Sequence, residues 1–163
     1  MKKVERKQKS LETMIYRNQW VKISRFKFLT EDFIRKNASK LDWDFISQYQ
    51  NLSFDLVKDY QKSVNWDEIT KNQNYGIYFI EEFKDKLNWF YLSYNKSFSY
   101  SGIRRYKDYL VWNVACKKSY IDFDFFKENL ALMNISAIKI NQNISKEVKI
   151  QMLTFYEGHK DLI

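Results

Sequence analysis

The sequence predicts an all-α protein: an α-solenoid of six short helix-turn-helix repeats behind an N-terminal capping helix. Three observations predict it. The five tryptophans, Trp20, Trp43, Trp66, Trp89 and Trp112, are spaced by 23 residues without exception. Proline is absent and glycine occurs only three times in 163 residues, so the tight turns on which all-β folds depend are not supplied. Helical periodicity recurs inside the unit: Leu56, Val57, Tyr60 and Val64 follow the spacing of one buried helix face, and Phe79, Ile80, Phe83 and Leu87 repeat it.

In chain order, residues 1–9 read as a basic flexible tail. Leu11, Met14 and Ile15 then suggest the capping helix. Residues 10–157 form the repeat domain and 158–163 a C-terminal tail. Asp42, Asn65, Asn88 and Asn134 precede the Trp position of their units, where an N-cap satisfies a free backbone N–H. In Asn65-Trp66-Asp67-Glu68 the glutamate holds the capping-box position. A second cap column is more regular: Thr30, Ser53, Gly76, Ser99, Asp122 and Ser145. Each unit is therefore a first helix of about two turns, a polar turn and a second helix of about three turns. Helices this short are unstable alone and must bury their faces against the next unit. The apolar columns share the period: Ile23, Ile46, Ile69, Leu92, Ala115 and Ile138 lie three residues after the Trp position, and Leu41, Val64, Leu87, Leu110 and Met133 two before the next. Keeping company with these core columns, the tryptophan is expected as a buried wedge between units, worth about 3 kcal/mol or more each.

The unit LDWDFISQYQNLSFDLVKDYQKSVNW, residues 41–66, resembles the short Trp-containing helical repeats, of the form D-W-x-x-I-S-x-x-x-x-L-S-x-x-F-I, of giant DNA virus, phage and some bacterial proteins. The resemblance covers residues 20–111 closely and 112–157 loosely. Departures are Ala115-Cys116 for the Ile-Ser pair, Gly102 for the second-helix Phe and Val111 for the cap. It implies a repeat interaction scaffold and carries no catalytic residues.

A single cysteine, Cys116, excludes an internal disulfide and fits a reducing compartment. The charged start does not read as a signal peptide. No run of about 18 apolar residues occurs, so no membrane span is expected and a cytoplasmic location is. Charge is uneven: residues 1–40 hold 12 Lys and Arg against 4 acids, and residues 41–163 hold 16 against 16.

Little in the chain points to catalysis, and no enzyme, cofactor or metal is expected. The one histidine, His159, reads as a solvated tail residue, and Cys116 as a small packing residue in a Ser/Thr column. The acid pairs Asp42/Asp44, Glu81/Glu82 and Asp122/Asp124 fit helix starts better than acid–base dyads. There is no glycine-rich phosphate loop. Binding has more support. Lys2, Lys3, Arg6, Lys7 and Lys9, continued by Arg17, Lys22, Arg25 and Lys27, make a positive end suited to phosphates or an acidic protein patch; the alternative is a solvated start that aids solubility. In residues 90–112, columns that are polar elsewhere turn aromatic. Tyr91, Tyr94, Tyr100 and Tyr109 gather with Arg104 and Arg105, a composition typical of interface hot spots; the alternative is a local repacking around the gap at Gly102.

These readings lead to a non-enzymatic helical-repeat protein that binds a macromolecular partner, protein or ribonucleoprotein. By analogy with small viral repeat proteins, its sharper form is an inhibitor of a host defence nuclease, of anti-CRISPR type. The second reading is direct RNA or DNA binding through the basic N-terminal region.

Overall fold

The computed structural model describes residues 2–26, 28–72, 76–95 and 98–162, with side chains described over 6–26, 28–72, 76–95 and 98–161. Every regular element among them is helical. The chain forms two compact units, residues 1–73 and 74–163. The first holds α1 (Lys2–Tyr16), α2 (Trp20–Ser24), α3 (Glu31–Lys36), α4 (Trp43–Tyr49), α5 (Phe54–Asp59) and α6 (Trp66–Asn72). The second holds α7 (Ile77–Phe83), α8 (Trp89–Tyr94), α9 (Tyr100–Arg105), α10 (Trp112–Lys118), α11 (Phe123–Glu128), α12 (Ile135–Ile140) and α13 (Lys146–His159), with 3-10 turns at Lys107–Tyr109, Leu130–Leu132 and Lys160–Leu162. First helices pack on first helices: α2 on α4 and α4 on α6 in one unit, α8 on α10 and α10 on α12 in the other. The fold is all-α and built of repeated helical hairpins.

Cap chemistry sets most helix starts, although α2 and α10 begin at Gln19 and Val111 without a side-chain cap. Thr30, Ser53, Ser99, Asp122 and Ser145 each accept from the backbone N–H three residues on, while Gly76 starts α7 without a side-chain bond. Asp42, Asn65, Asn88 and Asn134 do the same for first helices. The column three after the Trp position, Ile23, Ile46, Ile69, Leu92, Ala115 and Ile138, is fully buried throughout. At Gly102 the missing side chain is replaced by the ring of Phe98, which an added Cβ would meet at 2.7 Å. The Phe98 column is aliphatic at Leu29, Leu52, Ile121 and Ile144, and the Gly102 column carries Phe33, Leu56, Phe79 and Phe125, so this repeat exchanges the two volumes.

Buried hydroxyls join one repeat to the next. The residue four after the Trp position is Ser24, Ser47, Thr70, Ser93 or Cys116, all buried. Ser24 Oγ accepts the amide of Asp42 at 2.8 Å, Ser47 Oγ that of Asn65 at 2.9 Å and Ser93 Oγ that of Val111 at 3.0 Å. Cys116 Sγ accepts the amide of Asn134 at 3.4 Å. Ser24, Thr70 and Ser93 also donate to the carbonyl of their own Trp, at 2.9, 2.6 and 2.6 Å. This overturns the capping box at Glu68. The Asn65 amide it would have accepted is held by Ser47, and Glu68 turns to Lys71 and Asn72 instead.

Several expectations are corrected by this geometry. The tryptophans are half-buried rather than fully buried wedges. An indole N–H needs a partner when it loses water, and a carbonyl five residues earlier provides it: Ala38 for Trp43, Gln61 for Trp66, Lys84 for Trp89 and Lys107 for Trp112, at 3.0–3.1 Å. Trp20, preceded by no hairpin, donates to Asn18 Oδ1 instead. The second helices α3, α5, α7, α9 and α11 stop after six or seven residues, short of the expected three turns, and give way to a tight turn.

The basic segment 2–9 belongs to helix α1, not to a tail. It is free of Gly and Pro and rich in good helix formers, and α1 packs on α2. At the other end α13 runs through Gly158 to His159. Fully buried Met152 anchors it, and His159 donates from Nδ1 to the Phe155 carbonyl at 2.8 Å while stacking on that ring at 4.0 Å.

Two stability predictions follow from the inter-repeat bonds. Ser47→Ala leaves a buried amide without its acceptor and is expected to lower stability in urea denaturation by about 1–3 kcal/mol, most of which Ser47→Cys should restore. Trp43→Phe keeps the stack on Tyr60 (centroids 4.7 Å apart) but loses the indole donor. It should cost about 1 kcal/mol in the same measurement.

Candidate functional site

The structure places the predicted binding residues in two separate settings. In the first unit Lys2, Lys3, Arg6, Lys7 and Lys9 lie along α1, Arg17 just past its end and Arg25 just past α2; Lys27 lies outside the described residues. Arg6, Lys7, Lys9, Arg17, Lys22 and Arg25 are exposed. Lys7 Nζ sits 4.3 Å from the centroid of Phe28 and the Arg25 guanidinium 4.9 Å from that of Phe45. Arg6, Lys9, Arg17 and Lys22 make no ion pair or side-chain hydrogen bond among the described residues. Beside them stand exposed apolar groups: Tyr16 at 90%, Phe28 at 76% and Val21 at 55%. Phe28 holds φ at 81°, a left-handed conformation that bulky side chains rarely adopt. Its ring is thereby presented to solvent under the Lys7 ammonium.

In the second unit the Tyr/Arg segment does not form one patch. Arg104 and Arg105, adjacent in sequence, reach opposite ways. Arg104 pairs with Asp122 and Glu128 of the following repeat, and Arg105 with Glu81 of the preceding one. Tyr100 donates its hydroxyl to Asp122 and accepts from Arg104 Nε, and Tyr106 donates to Glu81 at 2.6 Å. Tyr109 stacks on Trp89 at 4.8 Å, and half-buried Tyr91 meets Phe90 edge-on. Tyr94 is half exposed with Lys118 Nζ 5.0 Å from its centroid. Tyr100, Arg104 and Arg105 thus fasten repeats together, and Tyr109 packs within its own repeat.

The acidic pairs have structural partners as well. Asp42 and Asp122 cap helices, Asp44 accepts from Asn65, and Asp124 pairs with Lys127. Cys116 is buried, and burial pushes its thiol above the ordinary range. Among the described residues no cluster of three or more His, Cys, Asp or Glu could share a metal ion, and no helix is long and apolar enough to cross a membrane.

Sequence reasoning missed a groove in the second unit where Tyr100 meets Lys117, Lys118, Tyr120, Gln142 and Asn143. A signal existed: the column eight after the Trp position is polar at Asn51 and Asn143 but aromatic at Phe28 and Tyr120, the same departure that singled out Tyr91. Fold and surface together define an all-α helical-repeat protein with exposed basic and aromatic side chains. Comparison with known proteins gives no matching family model, no matching curated relative and no matching solved structure.

The Tyr100 network should titrate at both ends of the pH scale. Burial first, then the bond to Asp122, push the Tyr100 phenol up to about 12, and Tyr106 is raised by burial and its bond to Glu81. The neutral phenols are favoured by folding, so their contribution is whole below the ordinary tyrosine value near 10 and is lost as pH rises through the higher folded values. Glu81 is held below the carboxylate range, chiefly by the Tyr106 hydroxyl. At Asp122 burial pushes upward but is outweighed by bonds from Tyr100 and the Phe125 amide. Their contribution is present above the ordinary carboxylate value and lost as pH falls through the lower folded ones. Ultraviolet titration of the phenols should show a late-ionising fraction, and Tyr100→Phe should shrink it.

Proposed function

We propose that the chain is a non-enzymatic helical-repeat interaction protein that docks its basic N-terminal helices on an anionic face of a macromolecular partner, a protein or ribonucleoprotein. One observation carries this reading: Arg6, Lys9, Arg17 and Lys22 have no counter-ion among the described residues, and exposed Tyr16 and Val21 immediately precede Arg17 and Lys22 in the chain. Arg35, Arg104 and Arg105, by contrast, are committed to Asp59, Glu128 and Glu81. Exposed arginine with exposed aromatic surface is the composition of an interface core, whereas charge kept only for solubility has no use for the rings. The sharper form of the proposal, occlusion of a host defence nuclease in the manner of anti-CRISPR proteins, draws on the resemblance to viral Trp-containing repeats.

Affinity purification of the tagged full chain from cell lysate, with and without nuclease and over graded salt, tests the reading. A stoichiometric partner should survive nuclease treatment, and the double variant Arg17→Glu/Lys22→Glu should weaken its capture about tenfold. Absence of a partner at moderate salt, or equal capture by the variant, contradicts the proposal. Capture abolished by nuclease would instead assign direct nucleic-acid binding.

A further inference from the structure

The second unit contains a cavity of about 650 Å³ that opens beside the end of α10 and the turns after α8 and α12. This is the size range of small-ligand sites. Lys117 and Lys118 supply two cations, and none of its described lining residues is a carboxylate. Asp122, two residues past Tyr120, is already engaged by Tyr100, the Phe125 amide and Arg104. Tyr120 is 50% exposed, and its T-shaped contact with Tyr100 (centroids 5.6 Å apart) fixes the ring's orientation. Lys118 lies over the half-exposed ring of Tyr94. Asn143 is held in place by donating to the Lys118 carbonyl, and Gln142 has no side-chain partner among the described residues.

We propose that this groove binds single-stranded nucleic acid: Lys117 and Lys118 hold the backbone phosphates, one base stacks on Tyr120, and the Gln142 amide faces a base edge. Each feature matches a need of that ligand. A phosphate needs a cation without a competing acid beside it. A base needs an exposed aromatic face already fixed in orientation, on which it gains affinity by stacking. Its edge presents donors and acceptors together, as a side-chain amide does. An acidic peptide would use the two lysines but leave the rings of Tyr94 and Tyr120 without a planar partner. The site is independent of the basic helices of the first unit.

Fluorescence anisotropy of the full chain with a short labelled oligothymidylate, an abasic strand of equal length and polyglutamate separates base, phosphate and carboxylate recognition. The wild type should bind the oligothymidylate about tenfold more tightly than the abasic strand. Tyr120→Ala should erase that difference and Tyr120→Phe keep it. Lys117→Gln/Lys118→Gln should weaken both strands and reduce the salt dependence. Arg17→Glu/Lys22→Glu should leave the difference between the strands intact, which separates this site from the N-terminal one. Ultraviolet crosslinking of the thymidylate strand to the unmodified chain should place the adduct on Tyr94 or Tyr120, whatever the variants do to folding. No binding, equal binding of the abasic strand, tighter binding of polyglutamate, or an adduct confined to the first unit would each overturn the assignment.

Discussion

A hydroxyl that has lost contact with water must find its partners inside the protein, and so must the first amide of a helix. The structure solves both problems with one atom. Ser24, Ser47 and Ser93 are buried, and each oxygen receives the amide that precedes the next repeat's first helix. An unsatisfied buried amide costs about 1–3 kcal/mol, so a helix that slid by one residue against its neighbour would lose this bond as well as the apolar contacts around it. Cys116 shows the same requirement met by a different element. Its sulfur is a weaker acceptor at a longer distance, yet it occupies the same column and takes the same amide.

The remaining contacts between repeats depend on that register. Arg35 reaches Asp59, Glu31 receives the Ser53 amide and hydroxyl, and Arg105 reaches Glu81, always across 22 to 24 residues of sequence. Exposed pairs of this kind contribute little energy each, typically about 0–1 kcal/mol. They form because the hydroxyl and the isoleucine column have already brought the two surfaces together. The indole has a comparable place. Its N–H closes the turn that ends the preceding hairpin and its ring lies against a second-helix aromatic, Tyr60 for Trp43 and Phe125 for Trp112. A half-buried ring with one hydrogen bond therefore explains the invariant spacing, and complete burial is not needed.

The fold was legible in the sequence because a repeat displays its constraints several times over. Helix starts at Ser53 and Asp122, and the core column at Ile46 and Ile69, stood out from one another's company. Most of what escaped notice depended on contacts between distant parts of the sequence. Nothing in the local pattern around Glu68 reveals that Ser47, 18 residues before Asn65, has already taken the Asn65 amide that a capping box requires. The helical state of residues 2–9 was hidden because charge density resembled a tail, although the segment contains no residue that opposes a helix. The Tyr/Arg segment was recognised as unusual, but sequence distance could not say that Arg104 and Arg105 would turn toward different repeats. The groove around Tyr120 was missed because Lys117 and Lys118 are unremarkable alone and meet Gln142 and Asn143 only through stacking of the next repeat.

In such an architecture the periodic positions are already committed. The Trp column closes turns, the fourth position joins helices, the third fills the core, and the cap columns start helices. Surface freedom is left at positions where a column changes character without the fold requiring it. The column eight after the Trp position is the clearest case. It is polar at Asn51 and Asn143, yet carries Phe28 at 76% exposure and Tyr120 at 50%, each near lysine: Lys7 over the first ring, and Lys117 and Lys118 beside the second. Neither ring is needed to fill the core, and Phe28 is held in a backbone conformation that costs energy to maintain. Exposed apolar surface kept beside positive charge, at a position where other repeats place asparagine or serine, is surface that the packing of the fold does not itself require.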